Sequence, residues 1–223
     1  MSWRRLFTRY LPAALLLLCA AVALGTWRAR SQQLAVPSAP RIEIDQQAVA
    51  NRLAGAVRLR TISEEAPSPQ SLAQNRAQLL RLHDYLAQSF PNLHRELQRE
   101  VVGDYSLLYT WKGQDPAARP ILLMAHQDVV PIAPGTEAQW HADPFGGEIR
   151  DGFVWGRGAW DDKGNLMAEL EAVEALVSKG FKPQRTIYLA FGHDEENGGA
   201  EVANHDRLQG IERALNHVGV ERG

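Results

Sequence analysis

Apolar residues recur every three or four positions in three segments of the chain, and this period predicts helices. The predicted helices cover residues 46–58, 71–89 and 164–179. Asp45 is suited to cap the first helix, Pro91 to end the second and Gly180 to end the third. Each of these helices therefore has an apolar side that folding must bury.

Short apolar runs bounded by turn residues predict strands. They cover residues 100–102, 106–111, 121–125, 148–150, 153–155 and 186–191. Gly103-Asp104 and Asp151-Gly152 predict two tight hairpin turns. The run 121–125 is continuously apolar, which predicts a strand covered on both faces. A strand, a helix and a strand in this order indicate a right-handed crossover in an α/β sheet.

The N-terminus has the pattern of a targeting segment. Three arginines within the first nine residues precede a run without charge from Tyr10 to Trp27. Its length lies between that of a signal peptide and a short transmembrane helix of about 17–25 residues. We expect residues 1–30 to be a signal anchor or signal peptide, with the anchor favoured, and residues 31–41 to be a linker. The rest is then extracytoplasmic, either membrane-anchored or secreted.

The composition narrows the classes of function. The chain has 223 residues, of which 45% are hydrophobic and 22% charged, as in ordinary globular proteins. A net charge of −2 gives no reason to expect nucleic-acid binding. Cys19 is the single cysteine and lies in the N-terminal apolar run, so neither a disulfide within the chain nor a catalytic thiol is expected. No Gly-x-Ser-x-Gly or Walker motif supports serine or nucleotide chemistry.

Acidic residues and histidine occur in three places at the ends of strand-like runs. The clusters are His126-Gln127-Asp128, Asp161-Asp162 and Glu195-Glu196. Enzymes with α/β folds place their sites beyond the carboxyl ends of strands. An imidazole with several carboxylates suits Zn²⁺, Mn²⁺ or Co²⁺, and a pair of such ions can activate water over a hydrolysable bond. The sequence therefore predicts a metal-dependent hydrolase.

The first two clusters allow specific roles. His126 and Asp128 lie on the same side of an extended backbone, so the aspartate can hold the second ring nitrogen of the imidazole. Asp161 and Asp162 precede a helix, where one can cap the helix and the other can span two metal ions.

The third cluster contains two adjacent glutamates that point in different directions. One of Glu195 and Glu196 can bind a metal while the other faces the water to be deprotonated. His193 and Asp194 are interpreted as residues that shape the loop. A carboxylate site for Mg²⁺ in phosphoryl transfer is a weaker alternative, because His126 and the lack of a phosphate-binding loop argue against it.

Five motifs in order resemble the dinuclear zinc aminoacylase and carboxypeptidase family, which includes acetylornithine deacetylase, succinyl-diaminopimelate desuccinylase and carnosinase. The motifs are residues 100–106, 123–131, Trp140 with Pro144-Phe145, 156–164 and 192–196. The resemblance is greatest to the branch of vacuolar carboxypeptidase S and the secreted N-fatty-acyl-amino-acid synthase/hydrolase. It extends from about Ile42 to about Gly199.

The resemblance implies a role for each residue at a matching position. His126 would bind one zinc ion, and Asp128 would orient it. Asp161 would bridge two zinc ions, and its peptide bond to the next residue is typically cis in that family. Glu195 would be the general base, and Glu196 would bind the other zinc ion.

The resemblance also implies an α/β fold, with a zinc-peptidase-like sheet that has helices on both faces and is incomplete at the C-terminus. Members of the family continue into a strand with an aspartate ligand, a smaller dimerisation domain and a late histidine ligand. His205 and His217 do not match that histidine. We therefore expect residues 42–223 to be the N-terminal part of a catalytic metallopeptidase domain.

The expected activity is that of the full-length parent. It would be a zinc metallopeptidase or amidohydrolase that cleaves an amide bond next to an amino-acid carboxylate. Its substrate would be a small peptide or an N-acyl amino acid, and only the full-length form would be able to form a homodimer. The alternative is that the 223-residue chain is an inactive fragment with at most weak metal binding.

Overall fold

The computed structural model describes residues 3–31, 33, 36, 38 and 41–198. The chain divides into two compact units, one up to Arg41 and one from Ile42 onward, and each is described by itself. His205 and His217 lie outside the described residues.

The first unit contains one long helix, α1 (Trp3–Arg28). Within it, Tyr10–Arg28 has a mean hydropathy of 1.9 and is long and apolar enough to cross a membrane. A signal sequence near the N-terminus can satisfy the same criteria of length and composition. Cys19 lies on this helix and is exposed.

The second unit contains four helices and six strands among its described residues. The helices are α2 (Gln46–Val57), α3 (Pro69–Ser89), α4 (Pro91–Glu96) and α5 (Lys163–Ser178). The strands are β1 (Gln98–Val102), β2 (Ser106–Trp111), β3 (Ile121–His126), β4 (Glu148–Arg150), β5 (Phe153–Trp155) and β6 (Ile187–Gly192). Short 3₁₀ helices cover Glu137–Gln139 and Glu195–Asn197. The fold is α/β, as predicted.

Four strands form one sheet in the order β1-β2-β6-β3, and β4 and β5 form a separate hairpin. Strand β2 is antiparallel to both β1 and β6, whereas β3 runs parallel to β6. The pairing sets Ala125 opposite Phe191 and His126 opposite Gly192. Two of the three predicted clusters therefore begin at the same edge of the sheet.

The hydrophobic core lies between the sheet and helices α3, α4 and α5. Strand β2 contributes Leu107, Tyr109 and Trp111, which share one face because side chains alternate along a strand. The other buried members are Ala56, Leu82, Leu86, Phe90, Leu93, Leu97, Leu166, Met167, Leu170, Val173, Leu189 and Phe191. Full burial of one such leucine contributes about 1.5–3 kcal/mol.

The predicted helices are confirmed, with differences at their ends. The Asp45 side chain accepts a hydrogen bond of 3.0 Å from the Ala48 amide, as a cap should. Ser68 caps α3, because its side chain accepts from the Ser71 amide at 3.1 Å, and the helix therefore begins two residues before its predicted start. Pro91 ends α3 but also begins α4, which the sequence analysis missed. Proline is favoured at the first position of a helix, where its missing N–H would have no partner.

Strand β3 differs from its prediction. Its bounds agree within one residue, but Ile121, Leu123 and Met124 are exposed rather than covered on both faces. Among the described strands, β3 pairs with β6 alone and lies at the edge of the sheet. A continuous apolar run predicts burial of both faces, but it cannot identify the elements that would cover them.

Candidate metal centre

Three segments converge at the carboxyl edge of β3 and β6. His126 is the last residue of β3, Asp161 lies in the turn before α5, and the 3₁₀ helix after β6 carries Glu195 and Glu196. Ligand atoms of His126, Asp161 and Glu196 all lie within 4.8 Å of one another. The structure therefore brings together the three residues that the sequence analysis predicted as metal ligands.

The predicted general base lies in the same cluster. Nε2 of His126 is 3.0 Å from Oδ1 of Asp161 and 3.6 Å from Oε2 of Glu195. The imidazole is mostly buried, whereas the side chains of Asp161 and Glu195 are 71% and 64% exposed. The cluster is thus open to solvent on its carboxylate side, where a substrate and water can enter.

Asp128 is fully buried and contacts both His126 and the loop that carries the two glutamates. Its Oδ1 lies 3.3 Å from Nδ1 of His126, the contact expected from the His-x-Asp spacing. Its carboxylate also accepts hydrogen bonds from the backbone amides of Glu195 at 3.3 Å and Glu196 at 3.1 Å. Asp128 therefore fixes both the imidazole and the glutamate loop, and the spacing alone had indicated only the first contact.

Asp162 has a different role from the helix cap considered from the sequence. It occupies the N-cap position of α5, but its side chain makes no capping hydrogen bond. Instead Oδ2 accepts from the backbone amide of His126 at 3.1 Å, and Oδ1 accepts from Asn165 at 2.5 Å. The peptide bond between Asp161 and Asp162 is cis, as the resemblance implies. The two carboxylates accordingly serve separate partners.

Lys163 follows the two aspartates and is completely buried. Its ammonium group donates to the carbonyl oxygen of Ala56 at 3.1 Å and to that of Leu59. Burial lowers the pKa of Lys163 to about 7. The role of this residue was not predicted from the sequence, although a lysine beside two aspartates was a visible signal. It attaches the turn carrying Asp161 to the C-terminal end of α2.

Glycines allow the chain to approach the cluster closely. Gly158 has φ of +81°, and a Cβ there would lie 2.7 Å from Cγ1 of Val129. A Cβ at Gly164 would lie 2.5 Å from the Ala159 carbonyl oxygen. Both distances are too short for a side chain, so the tight turn that presents Asp161 requires glycine at these positions.

The surroundings of the cluster raise the pKa values of two of its residues, His126 and Glu196. Burial disfavours the imidazolium of His126, but hydrogen bonds to Asp128 and Asp161 and the charges of Asp128 and Asp162 outweigh it and raise its pKa to about 9. Burial and the negative charges of Asp161, Asp128 and Glu195 raise the pKa of Glu196. The carboxylates therefore repel one another, and a cation among them would remove this repulsion.

The donor set fits a divalent metal. One imidazole nitrogen and carboxylate oxygens from three residues face a common space, and this combination suits Zn²⁺ and also Co²⁺ or Mn²⁺. The second ring nitrogen of His126 is held by Asp128, as is usual for a metal-binding imidazole.

An apolar groove of about 710 Å³ lies beside the turn that carries Asp161. Four aromatic side chains contribute to its lining, together with apolar residues of α2. They are Trp140, Phe153, Trp155 and Trp160. Trp160 directly precedes Asp161 and is 89% exposed, and Phe153 is 67% exposed. The guanidinium of Arg157 stacks over Trp140 at 5.2 Å, so the loop with Trp140 is tied to the glycine-rich turn.

Comparisons with known proteins agree with this description. The family model "Peptidase family M20/M25/M40" matches residues 122–220. A probable carboxypeptidase S-like 2 of Dictyostelium discoideum is 48% identical over 151 residues, which is 68% of this chain and 28% of that protein. The N-fatty-acyl-amino acid synthase/hydrolase PM20D1 of Bos taurus is 37% identical over 211 residues, covering 91% of this chain and 40% of the relative.

A solved structure supports the fold. Human carnosine dipeptidase 1 superposes with a TM-score of 0.62 at 24% sequence identity, covering 79% of this chain and 37% of that one. The chain thus spans well under half the length of each of these three proteins.

The fold and the site together define an α/β protein with a cluster of potential metal ligands at the carboxyl edge of its sheet. The chain belongs to peptidase family M20/M25/M40. The resemblance stated from its motifs is therefore confirmed.

Proposed function

We propose that the full-length protein is a metal-dependent hydrolase that cleaves an amide bond next to an amino-acid carboxylate. The observation that carries this proposal is the cluster of His126, Asp161 and Glu196, whose ligand atoms lie within 4.8 Å of one another. The family supports a hydrolase, and its relatives include carboxypeptidases and an N-acyl-amino-acid hydrolase. Zn²⁺ is the metal that we propose.

His126, Asp161 and Glu196 would hold the metal, and Asp128 would orient the imidazole. Zinc would supply a Lewis acid that polarises the scissile carbonyl group and acidifies water. Glu195 would accept a proton from the attacking water and then deliver it to the amine nitrogen as the carbon–nitrogen bond breaks. The exposure of Glu195 supports this role, because the base must reach both water and substrate.

Replacement of Glu195 tests the proposal. In the full-length protein, Glu195→Gln should lower kcat for amide hydrolysis by about 10²–10⁴-fold, the usual contribution of a general base, and leave the zinc content unchanged. Glu100→Gln is a matched control, since Glu100 is an exposed glutamate on β1. Unaltered turnover in Glu195→Gln would contradict the assigned role.

Two substrate classes are compatible with the relatives, and the apolar groove favours one of them. A long acyl chain needs an apolar channel that leads away from the reacting carbonyl group. Trp160, next to Asp161, contributes to the groove, and the lining is largely aromatic and aliphatic. We therefore favour an N-acyl amino acid with a long acyl group over a polar peptide.

A series of N-acyl amino acids tests this preference. The kcat/KM should rise with acyl length, and Trp160→Ala should reduce the gain for long chains by about tenfold while leaving acetylated substrates unaffected. Phe181→Ala is the control, because Phe181 is a half-exposed aromatic residue outside the groove. Equal kcat/KM for all chain lengths would favour peptides instead.

We also propose a division of the chain into three parts. Residues 1–30 would be a signal anchor or signal peptide, residues 31–41 a linker and residues 42–223 the N-terminal part of the catalytic domain. The apolar helix Tyr10–Arg28 supports the first part, and a membrane-anchored or secreted enzyme would follow from it. Retention of the intact N-terminus in a carbonate-washed membrane fraction would identify an anchor, whereas a soluble cleaved form would identify a signal peptide.

The alternative function is an inactive fragment that binds metal weakly. Zinc analysis of the purified 223-residue chain beside the full-length protein separates the two hypotheses. Two tightly bound zinc ions and hydrolysis by the shorter chain would exclude the alternative.

A further inference from the structure

Gln127 lies between two predicted site residues, and its side chain is completely buried. Its Nε2 donates to the carbonyl oxygens of Tyr105 and Phe191, each at 2.9 Å. Its Oε1 lies 2.8 Å from Nε2 of His83, a buried residue of α3. Every polar atom of this amide is therefore paired inside the protein.

His83 fixes the orientation of the Gln127 amide. Its Nε2 is also 3.0 Å from the carbonyl oxygen of Tyr105, so a hydrogen on Nε2 is shared between two acceptors. With this tautomer, the amide of Gln127 has one consistent orientation, in which its oxygen faces the ring and its nitrogen faces two carbonyl groups. The Gln127–His83 pair thus joins α3, the turn that precedes β2 and the end of β6.

The backbone of Gln127 is fixed as well. Its amide donates to the Gly192 carbonyl oxygen at 2.7 Å, and its own carbonyl oxygen accepts from the Thr61 hydroxyl at 2.6 Å. Side chains alternate along an extended chain, so the side chain of Gln127 points away from those of His126 and Asp128. Because the backbone and side chain of Gln127 are both fixed, the side chains of His126 and Asp128 are directed toward the metal cluster.

We propose that Gln127 and His83 are positioning residues for the metal centre. The inference rests on the proposed function. Filling the same space with apolar side chains would keep the burial but lose the directional contacts that fix residues 126–128. A buried amide costs about 1–3 kcal/mol when it is unpaired, so its complete pairing indicates that it fixes geometry and does more than fill the interior.

The test compares zinc affinity with stability in the full-length protein. Gln127→Met and His83→Phe remove the hydrogen bonds at similar volume, and each should weaken zinc binding by about 10–100-fold in a chelator competition. The double variant should be little weaker than either single variant, because both changes break the same network. His83→Gln keeps a donor and should restore part of the affinity.

His94→Phe is the matched control. His94 is a half-buried histidine of α4 whose ring contacts the Phe90 carbonyl oxygen at 2.8 Å and the Tyr109 hydroxyl at 3.0 Å. Its loss should lower the Tm of the metal-free protein as much as His83→Phe does but leave zinc affinity unchanged. This comparison separates a general loss of stability from a loss of positioning.

The outcomes distinguish this inference from the proposed function. If the unaltered protein binds zinc and Gln127→Met and His83→Phe bind it equally well, the positioning role is wrong and the pair serves stability alone. If the unaltered protein binds no zinc, the proposed function fails and the inference fails with it. Should Gln127→Met not fold, His83→Phe and His83→Gln still decide between these outcomes.

Discussion

The two halves of the candidate metal centre differ in burial and in hydrogen bonding. The lower half, with Asp128, Gln127 and Asp162, is buried, and its polar groups contact backbone amides and carbonyls of several elements. The upper half, with Asp161 and Glu195, is mostly exposed. Under the proposed function, the lower half would fix geometry and the upper half would meet metal, water and substrate.

Replacement of Asp128 should have the largest effect on stability. In Asp128→Ala, the imidazole of His126 and the amides of the glutamate loop lose a buried charged partner, so we expect about 3 kcal/mol of destabilisation. Urea unfolding of the metal-free protein measures it. A loss below about 0.5 kcal/mol would remove the distinction between the two halves.

Glu169 offers a contrast with the buried acids of the lower half, whose carboxylates accept hydrogen bonds. It is a partly buried acid on α5 whose Oε2 has no hydrogen-bond partner among the described residues. Burial, with a smaller contribution from Asp162, raises its pKa to about 7. The folded state therefore binds more protons than the unfolded state between the ordinary glutamate pKa and pH 7, and stability should fall as the pH rises through this range.

Glu169→Gln should remove this part of the pH dependence. At pH 8 the variant should be more stable than the unaltered protein by about 1 kcal/mol, after allowance for partial exposure, and near pH 4 the two should be equal. Thermal unfolding across this pH range provides the measurement. Parallel stability curves for the two proteins would show that Glu169 has an ordinary environment.

Asp161→Asn should have the smallest effect on stability, although it removes a predicted ligand. The side chain is 71% exposed, and repulsion from Glu196 offsets its contact with the His126 imidazole, so the metal-free protein should change by no more than about 0.5 kcal/mol. Zinc binding, measured by calorimetry, should nevertheless be lost. A large destabilisation without metal would place Asp161 with the supporting residues.

Local patterns predicted most of the elements. Helical periodicity located α2, α3 and α5, and the Gly103-Asp104 and Asp151-Gly152 turns located both hairpins, because these features depend on residues close in sequence. The convergence of His126 with Glu196 also followed from the sequence, since parallel strands end at the same edge of a sheet.

Features that depend on distant partners could not be predicted. The contact between His83 and Gln127 joins α3 to the residue that follows β3, and the buried Lys163 donates to carbonyl groups in and just after the last turn of α2. Neither pairing leaves a periodic signal in the sequence. The exposure of Met124 on β3 was missed for the same reason, because coverage of a strand depends on elements elsewhere in the chain.

The parallel register of β3 and β6 has a consequence for divergence within the family. Backbone hydrogen bonding between the strands brings His126 level with Gly192. The distance from His126 to the loop with Glu195 and Glu196 is therefore independent of how many residues the segment 132–147 contains. Insertions and deletions in that stretch can therefore accumulate without separating His126 from the glutamates. Under the proposed function, new substrate preferences can arise there while the cluster of His126 and the glutamates stays intact.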